Sequence, residues 1–79
     1  MLKLGMVYTN FLPMNGEREV WVYEKPTRLV CRQIDWIFPV DCVLIVEYYP
    51  DDFVQVLTKR KTGFLNRHKF NERLLVVVC

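Results

Sequence analysis

Apolar and polar residues alternate in short runs along this chain, and turn-forming residues interrupt them at spacings near ten positions. Val, Ile, Tyr, Phe, Trp and Thr dominate the runs, and these residue types suit a pleated, half-buried strand. Apolar positions nowhere recur at i, i+3, i+4 and i+7 over three turns, so the pattern predicts no long amphipathic helix. It predicts strands over residues 4–9, 19–24, 29–37, 42–49, 53–58, 62–65 and 74–78. The cleanest alternation sets Phe53, Gln55 and Leu57 against Val54, Val56 and Thr58. The run 42–49 is nearly continuous in apolar residues and reads as a strand buried on both faces. Residues 66–71 read as one short helical turn.

The interruptions have their own chemistry. Pro13 and the Asn15-Gly16 pair mark a turn, and Pro26 ends the second run because it has no N–H to give a ladder. Pro39 and Asp41 mark the next turn, and Tyr49-Pro50-Asp51-Asp52 reads as a tight hairpin. Lys59-Arg60-Lys61 is a charged loop, and Gly63 inside a strand pattern marks a bend or a close backbone approach. Short strands joined by short polar turns predict an all-β fold, a small five- to six-stranded barrel that hides its edges by closing. Residues 1–79 form a single domain in this reading: 1–17 as a strand plus loop or an arm, 20–70 as the barrel core, and 74–79 as a terminal strand.

Composition agrees with one small globular unit. The chain has 79 residues, 52% hydrophobic and 25% charged, which separates it from disordered and low-complexity classes. Its net charge of +2 is too small to name a partner. The longest apolar run, residues 74–79, falls far short of the roughly 20 residues of a spanning helix, so no membrane partner is expected. The first residues lack an apolar core and a cleavage site, so the expected location is cytoplasmic, or within an assembled particle, without secretion through a signal peptide. Three cysteines (Cys31, Cys42 and Cys79) and one histidine, His68, contain no metal-ligand spacing, so neither metal nor cofactor is expected. Cys31 and Cys42 read as small buried hydrophobes, with a bridge between them as the alternative.

The chain has no serine, one histidine and no Gly-rich phosphate loop, so catalysis and a small-molecule substrate are not expected. Binding chemistry is better supplied. Lys59, Arg60, Lys61, Arg67 and Lys69 place five of the eleven basic residues within eleven positions, interleaved with Phe64 and Phe70. Such a segment suits a phosphate backbone or an acidic protein partner, and equally a solvated hairpin that keeps a sheet edge soluble. Glu47, Asp51 and Asp52 give the opposite sign nearby. The run 74–79 is uncharged and rich in β-formers, so it must be covered, either by closing its own barrel or by adding to a sheet edge of another subunit. Trp21, Tyr23, Trp36, Phe38, Tyr48 and Tyr49 form an aromatic surplus that marks a contact surface, unless Trp21 and Trp36 fill the core.

The stretch 20–70 resembles Src-homology-3-like small barrels of the bacterial and phage type. The resemblance rests on Val20-Trp21-Val22-Tyr23-Glu24-Lys25-Pro26, a strand running into a Pro-containing loop, and on the long strand that follows Ile37-Phe38-Pro39. It continues through the acidic hairpin and aromatic strand at Pro50-Asp51-Asp52-Phe53 and the Thr62-Gly63-Phe64-Leu65 segment, and covers about fifty of the 79 residues. Peptide-binding members carry Trp, Pro and Tyr where this chain has Phe53, Asn66 and Lys69, which removes the stacking surface that a proline-rich ligand needs. The resemblance therefore implies a non-catalytic interaction or structural module, a small subunit of a larger assembly such as a phage or virus particle. Tyr48, Tyr49, Phe53 and Phe64 are its expected protein contacts. The alternative is a nucleic-acid-associated barrel that binds phosphates through Lys59, Arg60, Lys61, Arg67 and Lys69.

Overall fold

A computed structural model describes residues 2–14, 16–27, 29 and 32–78. Its strands are β1 Val7–Thr9, β2 Val20–Tyr23, β3 Gln33–Ile37, β4 Val43–Tyr49, β5 Phe53–Leu57, β6 Thr62–Asn66 and β7 Val76–Val77. All seven join one antiparallel sheet in the order β3-β2-β6-β5-β4-β1-β7. The two end strands, β3 and β7, do not pair with each other, so the all-β class holds while the expected five- to six-stranded closed barrel does not. The β2–β3 hairpin adds two strands outside β6, and β7 is only two residues long.

Local chemistry sets the ends of these strands. Of the run 4–9, only Val7–Thr9 is strand, because Gly5 turns the chain at a φ of 79° while its N–H still reaches the Ile45 carbonyl at 2.8 Å. Asn66 accepts from the His68 N–H at 2.9 Å and caps a 3₁₀ turn at Arg67–Lys69, within the expected helical segment. Asn71 caps a second 3₁₀ turn at Glu72–Leu74, and this shortens the expected terminal strand to Val76–Val77. The expected strand 29–37 begins at Gln33, and Val30, Cys31, Cys79 and the Asn15 half of the Asn15-Gly16 turn lie outside the described residues. Cys42 is exposed rather than buried.

A flat seven-stranded sheet would be one layer about 10 Å thick. The molecule measures 33 × 27 × 22 Å, so the sheet curls around its own apolar face. Val20, Val22, Ile37, Val43, Ile45, Val54, Val56 and Leu65 point inward and are buried. Outward residues of the same strands alternate with them, as the period of two requires. The strand expected to be buried on both faces, β4, is buried on one: Val43 and Ile45 enter the core, Val46 sits in a bulge, and Glu47, Tyr48 and Tyr49 are exposed. The curl explains this, because a single sheet wrapped on itself leaves its outer face to water.

The segment 2–14 completes the core instead of reaching out as an arm. Leu2, Tyr8 and Phe11 are buried, and β1 lies between β4 and β7. Pro13 bridges to Phe70, with Met14 donating to the Lys69 carbonyl and Asn71 donating to the Leu12 carbonyl.

Candidate interaction surface

The five basic residues expected to act together are divided by β6. Five residues of strand span about 16 Å, so the tip carrying Lys59, Arg60 and Lys61 stands at the opposite end from Arg67 and Lys69. Three of the five are already paired. Lys59 lies 3.8 Å from Asp41, Arg60 lies 3.0 Å from Asp35, and Arg67 grips both carboxylate oxygens of Glu72 at 2.6 and 3.1 Å. The hydrogen bond from Arg67 to Glu72 raises the guanidinium pKa above its ordinary value, against the opposing effect of burial. Among the described residues, Lys61 and Lys69 have no carboxylate within ion-pair distance.

Thr58 builds the tip. Its hydroxyl accepts from the Arg60 and Lys61 N–H groups, both at 3.1 Å, and donates to the Lys61 carbonyl at 3.0 Å. The turn so fixed sends Arg60 to β3, where Nη2 donates to the Trp36 carbonyl at 2.7 Å and the guanidinium lies 5.6 Å from the Trp36 ring centre. Asp35, only 6% exposed, completes the cluster. Burial by itself pushes the Asp35 carboxyl up, but a backbone hydrogen bond from Trp36, the Arg60 hydrogen bond and the charges of Arg60 and Lys61 together hold it below the ordinary 3.8. Trp36 in turn meets Trp21 edge to face at 5.8 Å on the outer face of the sheet and is 40% exposed, so the two tryptophans do not fill the core.

The four expected aromatic contacts do not share one face. Tyr48 pairs with the core residue Val54, and its hydroxyl donates to the Leu2 carbonyl. Tyr49 points to the opposite side, where it meets Phe64 edge to face at 5.1 Å. Phe53 is 2% exposed and packs against Tyr23 at 6.1 Å, so it supports the outer aromatic layer from below and presents no surface of its own. Tyr49 and Phe64 are the pair that the fold brings together at the surface.

The acidic hairpin serves its neighbours. Asp51 and Asp52 both adopt positive φ, 61° and 62°. Asp52 Oδ2 lies 2.6 Å from His68 Nε2, and the Asp52 carbonyl accepts from the Arg67 N–H at 2.8 Å. These contacts tie the hairpin to the 3₁₀ turn after β6.

The two sheet edges differ in kind. Arg60 occupies a carbonyl on the outer side of β3. On β7, the Val78 N–H donates to the Val7 carbonyl at 2.8 Å, which makes Val78 and Val7 a hydrogen-bonded pair. Antiparallel pairs alternate, so the N–H and C=O of Val77, opposite Tyr8, point away from β1. No described residue receives them, and the side chains of Val76, Val77 and Val78 are about half exposed.

No family model, no curated protein and no solved structure matches this chain. Among the described residues, no helix is long and apolar enough to cross a membrane. The Asp35, Trp36 and Arg60 cluster was not legible in the sequence, since Asp35 and Arg60 lie 25 positions apart and Asp35 sits in an otherwise ordinary strand run. The one signal along the chain was an acid among apolar residues in a predicted strand, which demands a buried partner.

Proposed function

We propose that this chain is a non-catalytic protein-interaction or structural module of the Src-homology-3-like kind, a small subunit of a larger assembly such as a phage or virus particle. The observation that carries this reading is the outer side of β7, where the Val77 backbone is unpaired and three valines are half exposed. An uncharged edge without lysine or proline is a template for an added strand, and natural sheets guard such edges unless something pairs with them. A strand from a protein partner fits this edge. The Tyr49 and Phe64 pair offers a second apolar contact on the outer face. The Src-homology-3-like reading is supported by the segments that carry the resemblance from residue 43 to residue 65, which form consecutive antiparallel strands β4, β5 and β6 joined by tight turns.

Capture of the tagged protein from its native source, with and without nuclease, tests this function alongside a Val77→Pro variant. Proline at 77 removes an outward N–H and leaves the bonds to β1 in place. The expected result is a stoichiometric protein partner that survives nuclease and does not accompany the folded V77P variant. Equal recovery by V77P, or recovery that collapses after nuclease, would overturn it.

A second reading is favoured by one arrangement, the exposed Trp36 ring beside the Lys59, Arg60 and Lys61 tip. Cations that neutralise phosphates beside a ring that stacks on bases suit a nucleic-acid strand. Replacing the three tip cations should then flatten the salt dependence of duplex binding by roughly 0.9 for each phosphate no longer neutralised.

A further inference from the structure

We propose that the β2–β3 hairpin is a latched flap, which opens as a unit from a sheet that otherwise stays folded, and that Arg60 is its latch. The flap is weakly joined by its backbone. β3 pairs with β2 alone, and β2 meets β6 at one residue pair, Tyr23 with Phe64. By contrast β5 pairs with β6 through five residues and with β4 through five more. Backbone pairing thus makes β4, β5 and β6 one continuous body and leaves the hairpin attached at a single point.

Two side-chain devices hold the flap down. The first is packing through a glycine. A Cβ at Gly63 would lie 2.2 Å from Val22 Cγ1 and 3.1 Å from the Tyr23 carbonyl oxygen, so the missing side chain is what lets β2 lie flush on β6. The second is the latch. The tip between β5 and β6, fixed by Thr58, sends Arg60 to β3, where it bonds both the Asp35 carboxylate and the Trp36 carbonyl. Arg60 therefore joins the far strand of the flap directly to the body, across β2. Planar guanidinium geometry suits this double engagement, whereas an ammonium would serve as a point charge only.

Local opening follows the least-held unit of a structure. Opening of this flap bares the β6 edge on either side of Phe64 together with the apolar faces of Val22 and Leu65. The β6 edge lies on the opposite side of the sheet from β7, so the flap and the proposed docking edge are independent of each other.

Amide hydrogen exchange near neutral pH, read by mass spectrometry or NMR, tests the latch. In the wild-type chain, the amides of residues 20–23 and 33–37 are expected to exchange at least tenfold faster than those of 53–57 and 62–66. Arg60→Gln should speed the first set at least tenfold further and leave the second unchanged, and Gly63→Ala should act on the same set by wedging β2 away. Arg60→Lys, which keeps the charge and gives up the fork, should fall between wild type and R60Q. One common rate for both sets in the wild type, or an R60Q or R60K protein in which both sets move together or neither moves, would overturn the proposal.

Discussion

Phe11 and Phe70 meet edge to face with ring centroids 5.0 Å apart, joining residues from the two ends of the described chain. Both are buried, and the Pro13 to Phe70 bridge holds their backbones together. This contact makes the amino-terminal segment part of the core. Phe11→Ala should cost about 3–5 kcal/mol, enough to leave a domain of this size largely unfolded. Phe11→Leu, which keeps most of the volume, should cost about 1 kcal/mol. Urea denaturation of the two variants checks the difference, and near-equal losses would remove Phe11 from the core.

The Asp35 carboxyl titrates lower in the fold than in the unfolded chain. Its contribution to stability is therefore complete above the ordinary value of 3.8 and is lost as pH falls through the lower folded value. Arg60 and Lys61, both on the β5–β6 tip, are the charges that face it. Asp35→Asn should cost about 1–2 kcal/mol at pH 7, less than a fully buried pair because Arg60 stays close to water. The gap between wild type and D35N in urea midpoint should be constant from about pH 7 to 5 and shrink below about pH 4. A gap that grows on acidification would contradict the sign.

Asp51 and Asp52 share a backbone region that is strained for residues with a Cβ. Asp51→Gly should relieve it and raise stability by about 0.5 kcal/mol, after the entropy lost by glycine is subtracted. Asp52→Gly should gain nothing, since it also removes the bond to His68. Thermal melting of the two variants separates backbone strain from the side-chain bond.

Val77 and Val78 differ in where their N–H groups point. Val78→Pro removes a ladder bond to Val7 and should cost about 1 kcal/mol more than Val77→Pro, whose missing N–H faces outward. Equal destabilisation in urea would mean that the Val77 N–H does not point away from β1.

Arg67 and Glu72 form the shortest ion pair with a guanidinium among the described residues, yet both remain partly in water. Arg67→Ala should cost about 1 kcal/mol or less. A larger loss in a salt-independent denaturation would show that the pair organises the 3₁₀ turns.

Much of the fold was legible along the chain. The alternation from Phe53 to Thr58 gave strand, face and register parity, because a strand with one buried side must repeat every two residues. Pro50, Asp51 and Asp52 marked a hairpin, and Gly63 marked a close approach that the structure fills with Val22. Other features were hidden. Five cations within eleven positions looked like one patch. A strand in their middle carries them to opposite ends, and three find carboxylates that sequence spacing could not pair. Phe53 looked like a contact and is buried, since Tyr23 arrives from a strand about thirty positions earlier.

The sequence by itself determined that this chain is all-β, where most strands begin and end, and which residues of β5 face inward. These depend on side-chain period, on proline lacking an N–H and on the chemistry of turns, all of which act over a few neighbouring positions. Only the tertiary structure decided that the sheet stays open, that Arg60 covers one edge while β7 is left bare, and that Tyr48 and Tyr49 serve different faces. Those outcomes depend on the curl of the sheet and on meetings between residues tens of positions apart, where packing and charge act through space and leave no period in the sequence.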